Sequence, residues 1–275
     1  VSTEGAVAPD APRVWDDCPG NVCFVHEVGD KAAVEAAFAR AERIVNRRLV
    51  INRVTAAAME PRGAIGDYNP AEDRYTCYTV LQRTHAYRAD LAQIIGVPEA
   101  RIRVVAGDIG GSFGMKSAVY NEVALCLLAS KQLGRPVKWT STRSEAFLSD
   151  AQARDHVTEA ELALDRDGHF LAFRTKTIAA VGAYAQAASN VFVMNLGTLA
   201  GVYRTPAMHA EVTAVFSNTN PMRPYRGNGR PEFAYVIERM VDEAAAEIGI
   251  DPIELRRRNT IPPEAMPFKT GLIFT

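Results

Sequence analysis

At 275 residues, with 48% hydrophobic and 23% charged residues, the chain can bury a sizeable core and is not composed like a disordered polymer. A formal net charge of −1 excludes the electrostatic footprint of a nucleic-acid or anionic-membrane binder. No apolar run approaches the roughly 18 residues that cross a bilayer.

Residues 1–30 are rich in Pro, Gly and Asp and read as an extended lead-in without the basic and apolar regions of a secretory signal. Cys18, Cys23, Cys77 and Cys126 have neither redox-pair nor zinc spacing, so reduced thiols and a cytoplasmic location are expected. Lys31–Ile44 is Ala- and Glu-rich with helical periodicity, and Val45–Val54 turns to a β-branched pattern. Asp67–Asp73 is a turn before the alternating strand Tyr75–Leu81, and Thr84 is placed as the cap of a helix that runs to Ile95 and stops at Gly96. Arg101–Ala106 then predicts a strand, Gly107–Gly114 a glycine turn, Ser117–Leu133 a helix closed by Gly134, and Val137–Thr140 a strand. Farther on, His156–Leu164 and Phe170–Val181 form a hairpin across Asp165–Gly168, and Ala210–Phe216 is a strand. Tyr225–Arg230 is a second glycine turn, Phe233–Ile248 an amphipathic helix, and Asp251 with Pro252 the start of a short last helix. The order strand, glycine turn, helix occurs twice. It predicts an α+β (mixed α/β) fold of two lobes with similar topology, 31–150 and 151–275.

The turn Gly107–Ser117 (GDIGGSFGMKS) admits several readings. Its glycines let backbone N–H groups approach an anion at a helix N-terminus, or they simply permit positive φ and close packing. A phosphate-binding P-loop is not matched, because Met115 separates Gly114 from Lys116 and Ser117. Gly110–Gly114 does match the G-x-S-x-G nucleophile elbow, so a serine hydrolase using Ser112, with Asp150 or Asp155 and His169 or His209, is the rival reading. A scaffold lobe without catalysis is the third. His85 and His156 are read as structural hydrogen-bonders, and Arg256–Arg258 as a solvated helix end.

Several separated motifs occur together: Glu60–Gly63 (EPRG), Gln82 with His85 (LQRTHAYR), Asp108–Gly114 (DIGGSFG), Arg143–Glu145 with Arg154–His156, Tyr225–Glu232 (YRGNGRPE) and Leu255–Pro262 (LRRRNTIP). In this order they resemble the molybdenum-binding large subunit of the xanthine dehydrogenase and aldehyde oxidase family, with the look of its carbon monoxide dehydrogenase large-chain branch. The resemblance implies a molybdenum cofactor-binding domain type of fold. It also implies a molybdopterin, expected in its cytosine dinucleotide form, whose molybdenum hydroxylates an electron-poor carbon with oxygen from water. Residue by residue, it implies that Gln82 approaches a molybdenum oxygen and that Gly110, Gly111, Ser112, Phe113 and Gly114 lie against the metal centre. Arg226 and Gly227 flank that centre in the second turn, and no residue here ligates the metal directly.

The resemblance further implies FAD and [2Fe–2S] groups on partner subunits or domains (a medium and a small subunit), and a dimeric assembly. Substrate positions depart from the family's better-known members. Copper-containing carbon monoxide dehydrogenases carry cysteine where Gly227 follows Arg226, so no copper is expected. Purine-oxidising members carry glutamate, arginine and an aromatic residue where this chain has Ser117, Met194 and Asn228. An aldehyde or an N-heteroaromatic compound is therefore the expected substrate. The family's glutamate base, in a G-x-G-E segment, has no counterpart in the sequence. The chain is accordingly expected to be a piece of a large subunit, inactive alone, that needs the C-terminal half.

Overall fold

The computed structural model describes residues 2–186 and 191–272. In chain order the elements are β1 (Val22–Gly29), α1 (Lys31–Phe38), β2 (Arg43–Thr55), β3 (Gly63–Asn69), β4 (Arg74–Thr79), α2 (Thr84–Ile95), β5 (Ile102–Val105) and α3 (Asn121–Leu133). They continue as β6 (Val137–Thr140), α4 (Arg143–Ser149), β7 (Gln152–Leu164), β8 (Phe170–Gly182), α5 (Val191–Met194), β9 (Ala207–Phe216), α6 (Arg230–Ile248) and α7 (Pro252–Asn259). The expected mixed α/β class is what the chain adopts. Two compact units result: Val1–Val54 with Ala153–Thr275, and Thr55–Gln152.

The larger unit is built on a sheet of order β1-β9-β8-β7-β2. β8 and β9 run parallel, while β7–β8 and β1–β9 are antiparallel. The β7–β8 hairpin turns where expected: the Asp165 carboxylate accepts the N–H groups of Asp167 and His169 at 2.9 and 2.8 Å, an Asx turn that closes the corner. α6 lays Phe233, Val236, Ile237, Met240, Val241 and Ala244 on the sheet residues Leu162, Phe173, Met208 and Val212, all buried. The helix shows the i, i+3, i+4 apolar spacing that such packing needs. α1 packs Val34, Ala37 and Phe38 against Ala163, Ala172 and Ala207, small residues that admit a close helix.

The smaller unit has a sheet of order β5-β4-β3-β6, with β5 parallel to β4 and the other pairs antiparallel. Tyr75, Cys77, Tyr87, Leu91, Val123, Cys126 and Leu127 fill its core beneath α2 and α3. The four cysteines are all free thiols.

Several expected boundaries move. The lead-in contains β1, whose partner β9 lies far along the chain, so local composition hides it. The helix from Lys31 stops at Phe38, because Glu42 N–H already bonds to Leu164 O and the chain enters β2. Residues 31–54 belong to the same compact unit as the part that begins at Ala153. Thr84 is the first residue of α2, not its cap; Arg83 precedes it at φ +65° with no side-chain cap bond. α4 was not expected, although Thr142 and Glu145 form a reciprocal capping box at its start. Among the described residues no helix is long and apolar enough to cross a membrane.

Candidate functional site

In the smaller unit the segment after β5 turns back on itself at Gly110–Gly114. Gly111, Phe113 and Gly114 have φ of +99°, +55° and +106°. A Cβ on Gly110 would lie 2.5 Å from Glu60 Cβ, and one on Gly111 would lie 3.1 Å from the Phe113 ring, so both positions need the missing side chain. Phe113 is 42% exposed despite its size, held outward by a backbone conformation that bulky residues avoid.

The helix expected from Ser117 begins only at Asn121. Met115–Ser117 is a short 3-10 turn and Ala118 is extended, so α3 does not open on the loop. The dipole argument for anion binding therefore fails here; the loop's donors are its own peptide groups. The N–H groups of Gly111, Ser112 and Phe113 have no partner among the described residues.

Gln82 stands beside the loop. Its Oε1 accepts Ser112 Oγ–H at 2.6 Å and Gly114 N–H at 2.9 Å. Two donors on one atom identify it as the carbonyl oxygen and leave Nε2 to donate outward. Behind the loop, Lys116 Nζ donates to Glu60 O at 2.8 Å and to Glu60 Oε2 at 3.1 Å, and the same carboxylate oxygen accepts Gly110 N–H at 2.8 Å. Burial pulls the Lys116 ammonium below its usual pKa, against the opposing pull of Glu60. Glu60 enters through the EPRG motif, but the role of Lys116 was missed: its spacing fails the P-loop pattern that would have drawn attention to it.

Ser112 is buried, and its hydroxyl is fully engaged, donating to Gln82 and accepting Lys116 N–H at 3.0 Å. Asp150 is paired with Arg62 at 2.6 Å and Asp155 with Arg53 at 2.7 Å. His169 faces Asp165 at 3.2 Å, and His209 faces Glu27 at 3.4 Å. The Ser112 hydroxyl is bonded to none of the acids or histidines named for a serine-hydrolase triad; its partners among the described residues are Gln82 and Lys116. Ser117, half-buried, donates its N–H to Gly114 O at 3.2 Å.

In the larger unit the second turn, Tyr225–Arg230, is closed by Asn228 N–H to Tyr225 O at 2.8 Å, with φ of +97° at Gly227 and +52° at Asn228. Asn195 Nδ2 holds Asn228 O at 2.7 Å, and Arg154 donates to Arg226 O at 3.2 Å while its guanidinium lies 5.0 Å from the centre of the Tyr225 ring. Arg154 also pairs with buried Glu232, so β7 braces the turn from below. The exposed Arg226 guanidinium and the buried Asn228 Oδ1 have no partner among the described residues. His156 is buried nearby on β7, and burial outweighs the charges of Glu232 and Asp155 to bring its pKa down to about 4, so it is neutral. Met194, at 58% exposure, borders a cavity of about 580 Å³ lined also by His26, Asp30, Leu196 and Leu272. Arg154 and Glu232 lie inside recognised motifs, yet their bracing role depends on folding.

A match to the Molybdopterin cofactor-binding domain family extends over residues 14–260, and the chain belongs to that family. It is 38% identical over 240 residues to the 6-hydroxypseudooxynicotine dehydrogenase complex subunit gamma of Paenarthrobacter nicotinovorans, covering 87% of this chain and 30% of that one. Among solved structures, a Cu,Mo-CO dehydrogenase superposes with a TM-score of 0.92 at 31% identity, over 99% of this chain and 36% of that one. Quinoline 2-oxidoreductase from Pseudomonas putida 86 gives 0.89 at 34% identity, over 96% and 34%. The chain thus spans about a third of the length of these relatives.

Proposed function

We propose that this chain supplies the molybdopterin-binding walls of a molybdenum hydroxylase large subunit acting on an aldehyde or an N-heteroaromatic compound. The observation that carries the reading is the loop face around Phe113: the peptide N–H groups of Gly111, Ser112 and Phe113 have no partner among the described residues, and the neighbouring Gln82 carboxamide is held by its oxygen, which leaves Nε2 to donate. Such a face suits a group rich in acceptor oxygens, and the exposed ring beside it suits a flat or apolar neighbour. The second turn supports the same fit with the exposed cation of Arg226, which has no partner among the described residues.

In this reading Gln82, Gly110–Gly114, Arg226 and Gly227 are cofactor-binding residues, and Ser117, Met194 and Asn228 are substrate-pocket residues. Molybdenum, when bound, supplies the two-electron oxidation with water as oxygen donor. Gln82 holds an oxygen of that centre through Nε2, the loop N–H groups orient the cofactor, and Phe113 keeps water from the space beside it. The general base is a glutamate elsewhere in the large subunit. FAD and [2Fe–2S] groups on partner subunits of a dimeric cytoplasmic assembly would supply the route for the electrons, and the pterin would be the cytosine dinucleotide. Copper has no place in this reading: its soft monovalent ion calls for a thiolate, and Gly227 follows Arg226 in the turn.

Purification with the co-expressed neighbouring subunits, followed by metal analysis and release of the pterin nucleotide, tests the proposal. Molybdenum and cytidine monophosphate without copper are expected, and Gln82→Ala or Arg226→Ala should weaken retention about tenfold, the loss of one charge-assisted or polar contact. Intact protein that carries no molybdenum would overturn the reading, and stoichiometric copper with carbon monoxide oxidation would overturn its substrate clause.

A further inference from the structure

Lys116 is only 1% exposed, and its ammonium meets a single residue, Glu60, among those described. That residue in turn grips the first end of the loop twice: Glu60 Oε2 accepts Gly110 N–H at 2.8 Å, and Glu60 N–H donates to Gly110 O at 3.1 Å. The backbone of Lys116 serves the other end. Its N–H donates to Ser112 Oγ at 3.0 Å, and its carbonyl accepts Gln82 N–H at 3.0 Å. Ser112 Oγ–H in turn donates to Gln82 Oε1 at 2.6 Å. Hydrogen bonds join Glu60 to Gly110, Lys116 to Glu60, Ser112 and Gln82, and Ser112 to Gln82, and the peptide chain from Gly110 to Ser112 closes the ring, in which Lys116 alone joins both ends.

We propose that Lys116 is a positioning residue, a buried latch that locks Gly110–Gly114 between Glu60 and Gln82 and so fixes which end of the Gln82 carboxamide faces the cofactor. The orienting clause rests on the cofactor reading above; the latch itself rests on the ring of bonds. Burying an ammonium is unfavourable by several kcal/mol unless it is paired, and methionine would fill the same space without that penalty. A cation here is therefore explained by what it holds. Both atoms it holds belong to the residue that clamps Gly110.

The test uses the intact protein with its co-purifying subunits, comparing wild type, Lys116→Met, Lys116→Arg and Glu60→Ala. Amide hydrogen exchange is followed for residues 107–117 and, as an internal reference, for α3. Lys116→Met should speed exchange of 107–117 about tenfold and leave α3 unchanged, as expected for local rather than global opening. Glu60→Ala should do the same. Its carboxylate is 37% exposed, so this variant keeps the test open if Lys116→Met fails to fold. Lys116→Arg, which restores charge and donors, should recover most of the protection. In the loaded enzyme, kcat should fall with Lys116→Met while KM changes little, because the displaced group faces the cofactor. Exchange like wild type in both Lys116→Met and Glu60→Ala, or equal acceleration of α3, overturns the latch. Molybdenum-free wild-type protein overturns the cofactor reading instead, and the exchange comparison still decides the latch.

Discussion

Ser112 Oγ donates to Gln82 Oε1 at 2.6 Å, and the same oxygen accepts Gly114 N–H at 2.9 Å, so the Gln82 amide cannot turn over without losing two bonds. A serine that resembles a nucleophile by its neighbours is instead the fixing point of a carboxamide. Ser112→Ala should leave the fold intact with a loss of about 2 kcal/mol, the ordinary worth of the two hydrogen bonds that its hydroxyl makes. It should lower turnover of the loaded enzyme more than it lowers molybdenum content, and Ser112→Thr, which keeps the hydroxyl, should recover most of the loss. A fluorophosphonate probe should label neither wild type nor variant; labelling of wild type at Ser112 would contradict this assignment.

Arg62 is the second buried cation of the smaller unit. It is 3% exposed, bonded to Asp150 at 2.6 Å and to Glu122 at 2.8 Å, and lies 3.8 Å from the Tyr120 ring centre. Removing one partner strands a buried charge, so Arg62→Ala should destabilise the protein by roughly 3–5 kcal/mol in denaturant titration. Burial works against ionised Glu122, but hydrogen bonds from Arg62 and from its own backbone outweigh it and hold the carboxyl below its ordinary pKa. That contribution is present above the unfolded-state carboxyl pKa and disappears as pH falls through the folded one. Stability of wild type should therefore drop on acidification below about pH 4.5, the ordinary carboxyl range, and Glu122→Gln should reduce that drop.

Features governed by a few adjacent residues were legible in the sequence. The Asx corner at Asp165, the Asp251 cap with Pro252, and the closing glycines Gly96 and Gly134 all fall where local chemistry puts them. So did the two glycine turns, whose spacing is short-range information. What escaped depends on distant partners. β1 is a strand because β9 is there to pair with it, and α1 ends at Phe38 because Leu164 captures Glu42. The helix expected from Ser117 begins only at Asn121, because Met115–Ser117 is a 3-10 turn tied back to Ser112 and Gly114 and Ala118 is extended. Candidate site residues could be named from motifs, but their orientation could not. That Gln82 presents nitrogen rather than oxygen follows only from two donors meeting in space.

Gly66 tests the packing of β3 against α3. A Cβ built there would lie 2.4 Å from Cys126 C and 2.5 Å from Leu127 N, both backbone atoms of a helix that cannot yield locally. Gly66→Ala should therefore destabilise by about 3 kcal/mol, the upper part of the range for overpacking, despite adding only one methyl group. Gly107, whose Cβ would meet nothing within 4 Å, is the matched control and should tolerate alanine with little change in midpoint.

His156 makes the larger unit sensitive to moderate acid. It is buried on β7, and its pKa is brought down to about 4, chiefly by burial, with Arg154 adding to the effect and Glu232 and Asp155 opposing it. The unfolded chain takes up a proton near pH 6.5, whereas the folded chain resists until about pH 4. A group that binds its proton more weakly when folded favours folding above the unfolded pKa and opposes it increasingly as pH falls toward the folded one. Across that window the loss is at most about 3 kcal/mol, from roughly 1.4 kcal/mol for each pH unit. Substituting His156 by Gln removes the titration while keeping a polar side chain, so the variant should show a flatter stability profile from pH 6.5 to 4. Urea titrations at intervals of half a pH unit would read this directly, and parallel profiles for His156→Gln and wild type would rule the residue out as the source of the slope.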